Sequence, residues 1–262
     1  MSWVSPRFLV EPVYRWIYGR PLTKPLPDAG GSPASSGPGG LVLVADGVGG
    51  FDLCATALRY VAAAEGLPHT VEVFSWSHGP GRWYADLTRS AHRDLKAAEL
   101  AERVREFRNR SPLAPVFLVA KSGGSGVVVK ALERLDEAVV ERSILLAPAL
   151  APDYDLSRAL QAVRSDLVVF WSPLDLIVLG AGTWIFGTAD RVRTASAGLL
   201  GFRTPNLADA AQTHPYRRLR QVRWSLPMAS TGYLGGHLGP DSPIFLRKYV
   251  VPLLREPTLG NA

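Results

Sequence analysis

The chain has a single cysteine, Cys54, among its 262 residues. That excludes an internal disulfide and a cysteine-based zinc site. With Leu53, Ala55 and Ala57 around it, the thiol is expected to be buried and structural. Long apolar runs are also lacking, since no stretch approaches the roughly 20 residues of a transmembrane helix. Arg7, Glu11, Pro12 and Arg15 break up the apolar core that a signal peptide needs, and a cytoplasmic location is the default expectation. Acidic residues are the minority charge, 23 against 29 Lys and Arg, for a net +6. The arginines are nevertheless scattered (Arg59, Arg134, Arg164, Arg217, Arg247), so the excess reads as a solvated surface and no nucleic-acid partner is expected. Arg217-Arg218-Leu219-Arg220 is a local exception, suited to one side of a helix or to a loop rim.

What is present describes a soluble globular chain: 47% hydrophobic and 20% charged residues, long enough for one large domain or a domain with an insertion. Residues 1–40 form an N-terminal segment and linker. The first 20 carry Trp3, Phe8, Leu9, Val13, Trp16 and Ile17 among basic residues, a composition suited to contact with a membrane surface or to packing back on the same domain. Residues 21–40 are rich in Pro, Gly and Ser and read as a linker.

From Leu41 onward, short apolar runs alternate with helical patterns, which predicts an α/β fold with a mostly parallel central sheet flanked by helices. The expected strands are Leu41 to Ala45, Thr70 to Trp76, Val116 to Ala120, Ile144 to Ala147, Leu167 to Trp171 and Val222 to Leu226. Leu87, Ala91, Leu95, Ala98, Ala101, Val104 and Phe107 recur at helical spacing, as do Val127, Val128, Ala131, Leu132 and Leu135. A final helix is expected around Ser242 to Leu254. Residues 176–221 are too long for an ordinary crossover and are read as a lid-like insertion before the last strand.

Parallel strands deliver their C-terminal ends to one edge, where ligands bind. The polar residues just after each run are Asp46-Gly47, Ser77-His78, Lys121-Ser122, Asp153 and Asp155, Asp175, and His237. Ser122 lies in Ala120-Lys121-Ser122-Gly123-Gly124, between an apolar run and a helical pattern, with small residues two positions to either side. A serine on so sharp a strand-to-helix turn has the setting of an exposed nucleophile.

On these motifs the chain resembles the α/β-hydrolase superfamily, in its serine esterase and lipase-like members. The turn is a small-residue variant of the G-x-S-x-G elbow, and Ser122, Asp175 and His237 follow the superfamily's order of serine, acid and histidine. The resemblance covers roughly Leu41 to Leu254. It implies Ser122 as nucleophile, His237 as base and Asp175 as its orienting acid, with Val48 and Gly123 N–H groups as the oxyanion hole. It implies a small-molecule ester substrate and neither cofactor nor metal. The sequence departs from the usual pattern at Asp46, where histidine is more common, and at Lys121, where histidine or an aromatic is. Asp46 is expected to turn away and pair with an arginine.

Other roles stay open at this point. Asp153 or Asp155 are rivals for the acid, His214 for the histidine, and Ser125 for the serine, although Ser125 fits better as a helix cap. His78, Lys121, Trp184 and Phe186 are candidates for substrate contact; Trp184, Phe186, Leu199 and Phe202 suit a lid or acyl-pocket wall as well as ordinary core. The leading expectation is a serine hydrolase acting on a carboxylic ester, with apolar segments that suit lipid-like acyl groups. Its alternatives are an amidase or thioesterase, a non-catalytic ligand-binding protein of the same fold, and an anion cradle at residues 122–126.

Overall fold

The computed structural model describes residues 39–205 and 214–255. The expected membrane-contact segment at 1–20 and nearly all of the linker lie outside them. Six strands, β1 (Leu41–Ala45), β2 (Thr70–Val73), β3 (Val116–Lys121), β4 (Arg142–Leu146), β5 (Leu167–Trp171) and β6 (Leu219–Arg223), form one sheet in the order β2-β1-β3-β4-β5-β6. Every pairing is parallel.

The central strands read as continuous apolar runs because both faces of the sheet are covered. In β1, Leu41, Leu43 and Ala45 face one layer while Val42 and Val44 face the other. In β3, Val116, Leu118 and Ala120 alternate with Phe117 and Val119 in the same way. The first layer contains α3 (Ser90–Arg110), α4 (Gly124–Leu132) and α5 (Ser157–Gln161). The second is built by α1 (Leu53–Ala64) and the C-terminal helical run, in which Pro243–Phe245 leads through a π-helical stretch, Leu246–Val250, into Val251–Arg255. Cys54 is fully buried in this second layer. Each Val, Leu or Phe buried in this manner contributes about 1.5–3 kcal/mol.

Three expectations need correction. The last strand is Leu219–Arg223 instead of Val222 to Leu226. It is an edge strand in which Arg220 and Arg223 are exposed and Gln221 bonds to the Phe202 backbone, so its polar first half hid its start, and the helix Leu226–Ala229 begins where the strand was expected to end. The second strand stops at Val73, short of Trp76. The buried stripe of α3 is Arg93, Ala97, Leu100, Ala101 and Val104, whereas Leu95 is exposed. A separate short helix, α2 (Trp83–Thr88), ends at Arg89 and resets the helical phase, so Leu87 does not continue into the same stripe.

In the 176–221 stretch, a π-helical segment Ile177–Gly182 continues into Thr183–Phe186, and a further short helix spans Ala197–Leu200. Leu179 and Leu199 bury against Ala147 and Ala149, so this stretch packs on the loop that follows β4. Among the described residues no helix is long and apolar enough to cross a membrane.

Helix α1 starts behind Asp52, which takes a left-handed conformation (φ 49°) and makes no side-chain capping bond. Burial, then the neighbouring Asp46 carboxylate, push the Asp52 pKa up to about 6. The folded state therefore binds a proton that the unfolded chain has already released, and stability is lost as pH rises from about 4 through about 6. Asp52→Asn removes this cost while keeping a residue that tolerates the left-handed region. It is expected to raise the thermal midpoint at pH 7.5 and leave it nearly unchanged at pH 3, as calorimetry at the two pH values would show.

Candidate active site

Strand β3 passes into α4 through Ser122, a non-glycine residue held at φ 50°. Such a conformation is costly and persists only where the surroundings enforce it. Here they do. A Cβ on Gly124 would lie 2.3 Å from the Ala45 carbonyl oxygen and 2.5 Å from that of Asp46, so only glycine lets the helix start against the end of β1. A Cβ on Gly123 would meet Val48 Cγ1 at 2.7 Å. The Ser122 N–H donates to Leu146 O at 3.0 Å, and its own carbonyl accepts from the N–H groups of Ser125 (3.1 Å) and Ala149 (3.2 Å). Ser125 Oγ also donates to Ser122 O and accepts from Ala149 N–H. It stitches the turn from inside the first turn of α4 and is not the helix cap expected, since Gly123 holds the N-cap position with no side-chain capping bond.

From this turn Ser122 Oγ lies 2.9 Å from His237 Nε2, and His237 Nδ1 lies 2.7 Å from Asp175 Oδ2. Asp175 closes a short turn after β5, with its N–H on Ser172 O at 3.3 Å and the Leu174 N–H on Ser172 Oγ at 3.2 Å. Tyr233 packs beneath, bonded to Ser172; burial, then the Asp175 charge, push its phenol well above the usual value, so it stays neutral. Gly235, at φ 91°, brings the His237 loop down on Leu174, where a Cβ would approach Leu174 Cδ1 to 2.7 Å. This chain of bonds can pass a proton from a hydroxyl to an imidazole whose tautomer a carboxylate holds.

The rivals are engaged elsewhere. Asp153 forms a two-oxygen pair with Arg203, Asp155 accepts from Ser157 N–H and the Tyr216 hydroxyl, and His214 is exposed beside Pro215.

The loop after β1 faces the turn from the other side. Its Gly47 N–H donates to Asp46 Oδ1 at 2.7 Å and its Gly49 N–H to Asp86 Oδ2 at 2.8 Å. Among the described residues no hydrogen bond takes the N–H of Val48 or of Gly123. Two backbone donors thus stay open beside Ser122, where a developing oxyanion would need them.

Asp86 escaped the sequence reading. It is fully buried, and its second oxygen accepts both the backbone N–H (2.7 Å) and Nδ1 (2.8 Å) of His78. A lone acid within Trp83-Tyr84-Ala85-Asp86-Leu87 was the one available signal, and a weak one. Trp76, read only as a strand end, donates from Nε1 to Asp46 O at 2.7 Å and lines the space beside Gly123.

The partners of three further side chains are set by the fold. His78 turns Nδ1 to Asp86 and stacks on His92 with centroids 3.9 Å apart, so it braces the turn. Lys121 is buried and bonded to Asp241, below the site. Burial alone would lower its pKa, but the carboxylates of Asp241 and Asp46 outweigh burial and raise it, so the ammonium stays charged. Asp46 does turn away, yet it meets backbone in place of an arginine: Oδ2 accepts from Ala55 N–H in α1 at 2.9 Å, with Lys121 as the neighbouring cation. A carboxylate next to a loop and a helix start finds N–H donors nearer than any distant guanidinium.

Around the opening the surface is apolar. Trp184 is 66% and Phe186 45% exposed, which separates them from the buried Leu199 and Phe202. Phe186 meets Trp83 edge to face at 5.7 Å, and Trp83 and Phe51 both adjoin Gly49. Leu174 and Leu176 flank Asp175, and Leu238 follows His237; all three are exposed. Among the described residues no group of three or more His, Cys, Asp or Glu side chains is arranged to hold a metal ion.

The parallel sheet, the strained serine turn after β3 and the covering helices on both faces are the α/β-hydrolase fold. Solved structures that match include the predicted CIB-like hydrolase of Thermoplasma acidophilum (16% identity, TM-score 0.46, 85% of this chain and 89% of that one). A cutinase-like protein from Cryptococcus sp. matches at 12% identity and TM-score 0.44 over 86% of this chain and 98% of its own. The thioesterase domain from the curacin biosynthetic pathway matches at 15% and 0.41 over 86% and 92%. No protein-family model and no curated protein sequence matches the chain.

Two substitutions test how the turn and its loop are held. Gly124→Ala is expected to destabilise the fold by about 1–3 kcal/mol through the clash with β1, measured by urea denaturation. Asp86→Ala strands the buried N–H groups of Gly49 and His78 and is expected to cost about 1–3 kcal/mol per unmatched group, with Asp86→Asn milder.

Proposed function

We propose that this protein is a serine hydrolase that cleaves carboxylic esters through an acyl-enzyme intermediate. The observation that carries the reading is the unbroken Ser122–His237–Asp175 bond chain at 2.9 and 2.7 Å, assembled on a strained turn. His237 Nε2 takes the hydroxyl proton as Ser122 Oγ attacks the ester carbonyl. The oxyanion falls to the open N–H groups of Val48 and Gly123, while Asp175 stabilises the imidazolium. Collapse breaks the carbonyl–alkoxy bond, and His237 returns its proton to the departing alcohol. Water then repeats the sequence on the acyl-enzyme and releases the acid.

The exposed ring of Phe51, Trp83, Leu174, Leu176, Trp184 and Phe186 supports acyl groups with substantial hydrocarbon. Side chains of this kind gain about 25 cal/mol per Å² of apolar surface they cover, which favours long chains over acetyl. Thioesters and amides would follow the same steps with a different leaving group, and the apolar ring does not discriminate among them.

A fluorophosphonate probe is expected to label the folded protein and to fail on Ser122→Ala; an unlabelled, folded wild type would sink the proposal. Loss of His237 is expected to reduce kcat on p-nitrophenyl esters by about 10⁴-fold or more. Activity on that ester series is expected to hold or rise from acetyl to octanoyl, and a steady fall with chain length would remove the acyl role from the apolar ring.

A further inference from the structure

We infer that the buried Lys121–Asp241 ion pair is a positioning device that locks the His237 loop onto the nucleophile's strand. The inference rests on the esterase reading above and names residues that reading does not use. Lys121 is the last residue of β3 and the immediate neighbour of Ser122. Its ammonium is bonded to Asp241, in a short 3₁₀ turn (Gly239–Asp241) just past His237. Asp46 follows Ala45, which pairs with Ala120, so it stands beside Lys121 at the strand ends, where its own oxygens hold Gly47 N–H, ahead of Val48, and Ala55 N–H. One buried cation therefore stands where the segments of nucleophile, base and oxyanion donor converge.

The other polar ties of the His237 loop are the histidine's own bonds to Asp175 and Ser122, Trp224 Nε1 on Tyr233 O, Ser242 Oγ on Thr231 O and a long Cys54 Sγ contact to Pro240 O. Among these only the histidine's own bond reaches the strand-to-helix turn after β3. On its far side it rests on apolar contact: a Cβ on Gly239 would lie 1.9 Å from the Tyr233 ring, and Gly235 is pressed on Leu174. Such contacts fix height above the core but tolerate sliding. The ion pair fixes the lateral position, because it ties the loop to the residue beside Ser122. Asp241 Oδ1 takes no hydrogen bond among the described residues; burial pushes the pKa of this carboxyl up, and the Lys121 ammonium offsets that only in part.

Buried ion pairs of this type are weak stability devices. Replacing both partners with apolar groups is often tolerated, whereas removing one strands a buried charge. A misplacement of about 1 Å between base and nucleophile, by contrast, costs on the order of 10²-fold in rate. The pair's worth therefore lies in geometry.

The test is kinetic, on the full chain, with the double variant Lys121→Met/Asp241→Leu and the single variant Asp241→Asn. Thermal unfolding establishes that each is folded. The expected result for the double variant is a kcat lower by about 10- to 100-fold, with KM within about twofold, and fluorophosphonate labelling slowed in parallel. Asp241→Asn keeps the shape but not the charge and is expected to fall between wild type and the double variant; it also carries the test if the double variant does not fold. Wild-type labelling and kcat in folded variants would overturn the inference while leaving the esterase reading intact. A raised KM with unchanged kcat would overturn it too, by making Lys121 a substrate contact. An unlabelled wild type would be a failure of the esterase reading itself.

Discussion

The close approach of α4 to the end of β1 is the constraint on which the site depends. The carbonyl oxygens of Ala45 and Asp46 occupy the space that a side chain at position 124 would need. With glycine there, the helix begins directly after the strand, and the one residue between them and Gly123 must absorb the reversal of direction. Ser122 does so at φ 50°, pinned through its N–H to β4 and through its carbonyl to Ser125 and Ala149. Because neighbouring backbone enforces the strain, the hydroxyl is presented in one orientation without a side-chain clamp of its own.

Beneath that hydroxyl lies a layer of charge withdrawn from solvent. Asp46, Asp86, Lys121 and Asp241 are each committed to backbone N–H groups or to one another. Above it the surface is apolar, from Phe51 and Trp83 to Trp184 and Phe186. The two layers differ in kind: the lower one bonds to loop backbone, and under the proposed function the upper one would offer hydrocarbon to a substrate. A charged group in the upper layer would be wasted on solvent, and an apolar one in the lower would leave loop N–H groups unmatched.

Legibility followed the physics of each element. Strands β1 and β5 were readable to the residue because a strand covered on both faces is apolar throughout. Strand β6 was shifted because it lies at an edge, with Arg220 exposed and Gln221 turned to the Phe202 backbone. The phase of α3 was misjudged because the break at Arg89 is a backbone event with no apolar signature. That Ser122, Asp175 and His237 would meet was legible because strand order and turn chemistry place all three at one sheet edge. Asp86 and the true partners of Asp46 and Lys121 were not, since a carboxylate's choice among N–H groups and cations depends on which loops fold over it.

The order of strands and helices, the glycines at the turn and the identity of its serine, acid and histidine were thus decided along the chain, by local pattern and steric need. Which polar groups face one another was decided only by folding. Ser122 and His237 are 115 residues apart, and Lys121 and Asp241 are 120. No spacing rule spans such separations. The parallel sheet brings its strand ends to one edge, and there charge and hydrogen bonding sort the side chains by distance in space.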